Sequence, residues 1–345
     1  QIFSGNELLV KGALETEGGV HLFTGYPGSP IAGFFDTLEG LAPLLEQNGQ
    51  VARLANNEAL GMAMVNGAQM AGCRAMVAMK SVGVHVASDA LALGVLAGTR
   101  EGSGGLVVLG DDPWSESTQV PADSRFIAEH CRLPVIEPAG PQEVKDWVAL
   151  AYRIGEAGRI YVGYLVTVTQ ADGGGTVLCR SNHAPEVNEK QKKVLRYDRD
   201  IEPELERTVL LPPRTWQREL GMDERFQQVV AAAREVGVNR MVHRPQKGER
   251  APLGFVVAGG TWSYYTHALV EMGLTGRLPA IKLGMHYPLD ETLVADLACR
   301  VERLVVIEER RPFVERQVLG VVHRLRQEGR AVAEVYGKTF PDGLE

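Results

Sequence analysis

One isolated carboxylate stands out among the groups that could do chemistry in this chain. Glu58 opens the run Glu58-Ala59-Leu60-Gly61-Met62-Ala63-Met64-Val65-Asn66-Gly67-Ala68-Gln69-Met70-Ala71-Gly72, and the next charge is Arg74. The pattern predicts a helix capped by Asn56 or Asn57, with Glu58 in its first turn. A helix without charge on any side is ordinarily buried, so Glu58 belongs at the edge of a core or an interface. Two readings fit it there: a carboxylate that complements the helix dipole, or a functional group.

Further candidates fall where strands give way to helices. Gly25-Tyr26-Pro27-Gly28-Ser29-Pro30 follows a strand at 20–24. Its glycines let the backbone approach a ligand and Ser29 offers a hydroxyl, although a rigid turn explains the same residues. Lys80-Ser81-Val82-Gly83-Val84-His85 is expected as a loop after the strand 75–79, and Gly110-Asp111-Asp112-Pro113-Trp114 follows the strand 106–109. Gln119 and Arg125 come just beyond. In a parallel sheet, ligands gather at the carboxyl ends of the strands, which puts Ser29, Lys80, Ser81, His85, Asp111, Asp112, Gln119 and Arg125 on or near one rim. Each has a plainer alternative. His85 fits a hydrogen-bonded structural histidine, Asp111-Asp112 fits a turn, and Arg125 fits either a bidentate carboxylate anchor or a surface ion pair. Gly259-Gly260, between a strand and a helix, could cradle phosphate or simply make a tight turn.

The elements that position these groups alternate. Helices are expected at 7–17, 31–47, from Glu58, at 87–96 and at 142–157, between strands at 20–24, 51–54, 75–79, 106–109, 134–138 and 160–166, which implies an α/β fold on a parallel sheet. Residues 1–185 form this first domain. Residues 186–250 read as a linker: 186–206 is strongly charged, Leu211-Pro212-Pro213 breaks regular structure, and one amphipathic helix spans about 223–236. Residues 251–345 form a smaller α/β domain.

Composition agrees. A chain of 345 residues exceeds the ~250–300 residues at which one core stops growing. The hydrophobic fraction of 45% and the 39 glycines suit an α/β protein with tight turns. The net charge of −7, with no basic run, argues against nucleic acid. Cys73, Cys131, Cys179 and Cys299 are too scattered to hold an iron–sulfur cluster within this chain. No apolar run approaches the ~20 residues that span a bilayer. The expected setting is cytoplasmic, with no membrane contact.

A set of short stretches gives these features a family context. They are Ser4-Gly5-Asn6-Glu7, Thr24-Gly25-Tyr26-Pro27-Gly28-Ser29-Pro30, Asn57-Glu58, Met79-Lys80-Ser81-Val82-Gly83, Asp111-Asp112-Pro113, Glu137-Pro138 and Pro141-Gln142-Glu143, followed by Lys282-Leu283-Gly284, Tyr287-Pro288-Leu289, Glu308-Glu309, Pro312-Phe313 and Tyr336-Gly337-Lys338. In this order the chain resembles the alpha subunits of indolepyruvate:ferredoxin oxidoreductases, among the thiamine-diphosphate-dependent 2-oxoacid:ferredoxin oxidoreductases. The resemblance implies a pyrimidine-type thiamine-diphosphate-binding domain followed by a transketolase C-terminal-like domain. It implies that Glu58 is the catalytic, activating glutamate, hydrogen-bonded to the aminopyrimidine. Pro27, Gly28, Ser29, Lys80, Ser81, Val82 and Gly83 would line the cofactor, and Ser29, His85, Gln119 and Arg125 the substrate side. Ser29 stands where relatives often have threonine, and Ser81 and His85 where they usually have histidine and asparagine.

The implied reaction is oxidative decarboxylation of indolepyruvate or another arylpyruvate to an acyl-coenzyme A, with electrons passed to iron–sulfur centres. The Gly-Asp-Gly pattern with a later asparagine, which holds Mg²⁺ and diphosphate in thiamine enzymes, has no counterpart here; Gly110-Asp111-Asp112 does not match it. No metal ligands are therefore assigned to this chain. Mg²⁺, the iron–sulfur clusters and the diphosphate site are expected on a partner subunit or a further domain, in a hetero-oligomer. Two alternatives remain: the half-site subunit of an NAD-linked 2-oxoacid dehydrogenase or transketolase-like enzyme, and a non-catalytic assembly subunit.

Overall fold

The computed structural model describes residues 1–186, 210–246 and 248–339. Most of the charged stretch 186–206 lies outside the described residues. The chain divides into two compact units, Gln1–Val135 with Pro141–Ala232, and Ile136–Gly140 with Ala233–Glu345. Both are α/β with mostly parallel strands.

In the first unit the elements run β1 (Ile2–Ser4), α1 (Gly5–Leu14), β2 (Leu22–Gly25), α2 (Ala32–Gly40), α3 (Ala42–Gln47), β3 (Val51–Leu54), α4 (Glu58–Met70), β4 (Arg74–Lys80), α5 (Ser81–Ala97), β5 (Gly104–Asp111), α6 (Arg125–His130), β6 (Val135–Ile136), α7 (Pro141–Gly158), β7 (Val162–Thr167), α8 (Val168–Ala171) and β8 (Gly174–Thr176). After the undescribed stretch come α9 (Arg214–Leu220) and α10 (Met222–Glu235). Strands β7, β5, β4, β2 and β3 lie side by side in parallel, with β6 next to β7. Every residue of β5 is buried, as expected for a strand covered on both faces, whereas all four residues of the edge strand β3 are exposed.

Small residues bring α4 onto the sheet and α5 onto α4. A Cβ on Gly61 would lie 3.2 Å from the Gly25 Cα and 3.3 Å from Val77. Asn66 of α4 donates to the Ala90 carbonyl of α5 (3.0 Å) and accepts from Tyr161 (2.9 Å). At the far end of α5, Arg225 of α10 donates to the carbonyls of Val95 (3.2 Å), Leu96 (3.2 Å) and Gly158 (3.1 Å). These bonds satisfy helix-terminal carbonyls that would otherwise lack partners.

Three sequence expectations change. The stretch 80–85 is not a loop: α5 begins at Ser81, with Lys80 in the extended conformation of an N-cap. The helix expected over 31–47 is two helices, because Pro43 cannot continue the first and instead sits in the opening turn of α3. The expected linker contains, in its described part, the amphipathic helix expected at about 223–236 (α10), and in addition α9 and a strand of the second unit. That strand is short and half exposed, which hides its periodicity.

The second unit comprises β9 (Asn239–Val242), β10 (Ala251–Ala258), α11 (Thr261–Glu271), β11 (Ala280–Leu283), β12 (Met285–Tyr287), α12 (Glu291–Ala298), β13 (Val301–Ile307), α13 (Phe313–Gln327) and β14 (Glu334–Tyr336). Its sheet runs β14, β13, β10, β11, β9, parallel except for β9. The Gly259-Gly260 turn does not present an open phosphate cradle. The Glu137 carboxylate, from the segment Ile136–Gly140, accepts the Gly260 N–H at 2.8 Å, and a Cβ on Gly259 would lie 2.5 Å from its Oε2. The chain's own carboxylate thus occupies the start of α11, for the same electrostatic reason that a phosphate would. No helix among the described residues is long and apolar enough to cross a membrane.

Candidate functional site

Asn57, rather than Asn56, caps α4: its Oδ1 accepts the Leu60 N–H at 2.9 Å. Glu58 then begins the helix and is 6% exposed. Its carboxylate has neither a hydrogen bond nor an ion pair among the described residues. Such a group is costly to bury unless something else satisfies it. Gly83, in the first turn of α5, lies directly against it, and a Cβ at this position would fall 2.3 Å from Glu58 Oε1 and 2.7 Å from its Cδ. The bare Cα of Gly83 is what leaves room for the carboxylate.

The loop after β2 is fixed from below. Gly25 adopts φ +140°, and a Cβ there would lie 2.0 Å from the Ala78 carbonyl oxygen, so no side chain fits. Asn6, 4% exposed on the otherwise apolar inner face of α1, donates to the carbonyls of Pro30 (3.0 Å) and Ala171 (3.1 Å). Gly28 rests on the Lys80 side chain, a Cβ there lying 2.8 Å from Lys80 Cδ. Two junctions therefore join the rim, Gly28 with Lys80 and Gly83 with Glu58, linked by the continuous segment Lys80-Ser81-Val82-Gly83. Within it Ser81 is buried and its hydroxyl has no hydrogen-bond partner, while Val82 is half-buried. Pro27 is exposed and Ser29 half-buried.

The remaining candidates behave differently. His85 is exposed on α5, and Gln119 is exposed in the segment between β5 and α6. Arg125 is buried in a two-pronged ion pair with Asp123, Nε to Oδ1 at 2.8 Å and Nη2 to Oδ2 at 2.7 Å. The arginine is thus in an ion pair, but a buried one rather than the surface pair of the sequence-based alternative.

Asp111 and Asp112 organise the segment that carries Gln119. Burial pushes the Asp111 carboxyl up to about 7, against the lowering effect of hydrogen bonds from the Ser124 hydroxyl and N–H. Burial also raises Asp112, but the backbone N–H groups of Ser117 (2.8 Å), Glu116 (2.8 Å) and Thr118 (2.6 Å) outweigh it and hold this carboxylate below its ordinary value. Both therefore follow the turn alternative.

Sequence reasoning named no role for Asn6 or for the Cα of Gly25. The available signal was an uncharged polar residue beside Leu8, Leu9 and Val10 on a helix face that had to be buried.

Comparison with known proteins gives this geometry a family context. Residues 243–341 match the family profile described as indolepyruvate oxidoreductase domain. The chain is 30% identical over 344 residues to the indolepyruvate oxidoreductase subunit IorA of Methanothermobacter thermautotrophicus, covering 99% of this chain and 52% of that protein. With IorA of Archaeoglobus fulgidus the identity is 29% over 335 residues, covering 97% and 49%. With IorA of Pyrococcus abyssi it is 31% over 315 residues, covering 91% and 46%. The chain thus spans about half the length of these relatives. Its fold is similar to that of a 2-oxoglutarate:ferredoxin oxidoreductase from Magnetococcus marinus, at TM-score 0.68 and 17% identity, covering 98% of this chain and 62% of that one. Along nearly its whole length, then, this chain is similar to indolepyruvate oxidoreductase subunits IorA, the family its own motifs resemble.

Proposed function

We propose that this chain is the pyrimidine-binding component of a thiamine-diphosphate-dependent oxidoreductase that decarboxylates indolepyruvate or another arylpyruvate to its acyl-coenzyme A. The observation that carries this reading is Glu58, 6% exposed and without a hydrogen-bond or ion-pair partner among the described residues, its carboxylate given room by Gly83. A ring nitrogen that can carry a proton fits such an acceptor, so the residues present suit the pyrimidine half of the cofactor. When bound, thiamine diphosphate supplies the electron sink for decarboxylation.

The residues of this chain then have distinct tasks. Glu58 holds or returns a proton at the pyrimidine ring, its low exposure keeping water from competing for that hydrogen bond. Gly28, Ser29 and the start of α5 form the wall beside it, and Asn6 fixes the loop that carries Ser29. The first unit serves as the pyrimidine-binding domain and the second as the transketolase C-terminal-like domain.

An exposed apolar stripe supports assembly with another polypeptide segment. Leu60 (49% exposed) and Met70 (37%) of α4 flank the exposed small residues Ala63 and Gly67, and Val86 (53%) and Leu93 (49%) of α5 continue it. In this reading the partner provides the diphosphate and Mg²⁺ site and leads electrons to iron–sulfur centres. The four free cysteines suit a reducing cytoplasm.

The test is to co-purify the chain anaerobically with its partner, identify the bound cofactor by mass analysis, and follow indolepyruvate-driven reduction of a low-potential acceptor in the presence of coenzyme A. Thiamine diphosphate together with coenzyme A-dependent reduction supports the proposal. An intact complex without the cofactor would make the chain an assembly subunit, and transfer to NAD through a lipoyl partner would make it part of a dehydrogenase.

A further inference from the structure

Lys80 stands apart from the other lysines of the described residues. Lys11 pairs with Glu15, Lys145 with Glu15 and Asp146, Lys338 donates to the Glu308 carbonyl, and Lys282 lies over the Trp262 ring. Lys80 has no hydrogen bond, ion pair or ring contact among the described residues, although it is half-buried. Its stem is nevertheless placed. A Cβ on Gly28 would lie 2.8, 3.3 and 3.5 Å from Lys80 Cδ, Cγ and Cε, so the loop lies over the aliphatic chain and limits where the ammonium can go.

Two neighbouring features favour an anion there. Lys80 is the N-cap of the 17-residue helix α5 but gives it no side-chain cap, so the first turn keeps N–H groups without a side-chain acceptor. Ser81, 2% exposed, begins that helix with a buried hydroxyl that lacks a hydrogen-bond partner. Arg125, the alternative cation on this rim, already has its fork matched by Asp123. Glu58, meanwhile, places a negative charge against Gly83, within the first turn of the same helix, so a second carboxylate entering this site needs a nearby cation.

Resting on the function proposed above, we infer that Lys80 is the receptor for the carboxylate of the 2-oxoacid substrate, assisted by the uncapped first turn of α5. A lysine suits this carboxylate in particular. The group leaves as neutral CO₂, and a flexible point charge binds the anion without the rigid two-pronged grip of an arginine. Because the attraction is strongest in the ground state, it lowers KM rather than raising kcat.

The experiment uses the assembled holoenzyme with Lys80→Gln, Lys80→Arg and Arg125→Gln. Inhibition is measured with indole-3-propionate, an unreactive carboxylate, and its neutral amide, alongside KM and kcat for indolepyruvate and the thiamine diphosphate content. Lys80→Gln should raise KM roughly 10- to 100-fold, the range for losing a charged hydrogen bond. It should lose the preference for carboxylate over amide by a similar factor while keeping cofactor content and most of kcat, and Lys80→Arg should recover part of the preference. The inference is overturned if Lys80→Gln keeps the wild-type preference, if it loses the cofactor instead, or if Arg125→Gln alone abolishes the preference. If the wild-type complex lacks thiamine diphosphate and does not turn over indolepyruvate, the functional reading fails. Calorimetric binding of indole-3-propionate then decides the anion site separately: it stands if binding depends on Lys80 and falls if it does not.

Discussion

Glu58 and Gly83 form a pair in which one residue provides the charge and the other the space. Replacing Gly83 with alanine would put a methyl carbon 2.3 Å from Glu58 Oε1 and 2.7 Å from both its Cδ and Cγ, so the whole Glu58 side chain must turn away to make room. The fold should therefore tolerate Gly83→Ala while the site does not. The expected outcome is a thermal unfolding curve close to wild type with activity of the assembled enzyme reduced about 10²-fold or more, the usual scale for losing proton-transfer assistance. Full activity in this variant would mean that the carboxylate position does not matter. Glu58 itself was legible as an anomaly, one charge in an uncharged helix, because burying it needs a reason. That Gly83 makes the room was not legible, since 25 positions separate the two and only packing α5 on α4 brings them together.

At the level of elements, Asp111 ties the end of β5 to the start of α6 through Ser124. Its carboxyl titrates at about 7 in the folded chain, against ~3.9 for an unfolded aspartate. Between those values the folded state holds a proton that the unfolded state has released, so this group's contribution to stability is present at low pH and is lost as pH rises toward 7. Relative to Asp111→Asn, the wild type should lose on the order of 2–3 kcal/mol of unfolding free energy between about pH 5 and 8 in denaturant titrations. A difference that does not vary with pH would contradict the buried-acid assignment. The buried strands β4 and β5 are legible because unbroken apolar runs suit a sheet covered on both faces. The start of α5 is not, because serine, two valines and glycine read equally well as a loop until packing decides. The same holds for the pairing of β1 with β8, whose short partners carry no periodic pattern, and for Glu137 at Gly260, an anion recruited from 123 positions away.

For the whole molecule, the proposed function needs a second polypeptide segment. The exposed apolar side chains on α4 and α5 are where it is expected to sit, so Leu93→Glu should weaken assembly, read as a shift from complex to free chain in size-exclusion chromatography, without lowering the melting temperature of the isolated chain. Unchanged assembly would place the partner elsewhere. In the sequence a partner is suggested by the missing diphosphate motif, whereas a face for it to sit on is suggested only when the folded helices leave Leu60, Met70, Val86 and Leu93 uncovered. The proposed function rests above all on Glu58 doing the proton chemistry of a thiamine enzyme. Its most direct test is Glu58→Ala in the reconstituted complex, comparing 2-oxoacid-driven acceptor reduction with wild type at equal protein and saturating thiamine diphosphate. A loss of about 10²–10⁴-fold in a complex that still assembles is predicted; reduction at the wild-type rate would contradict it.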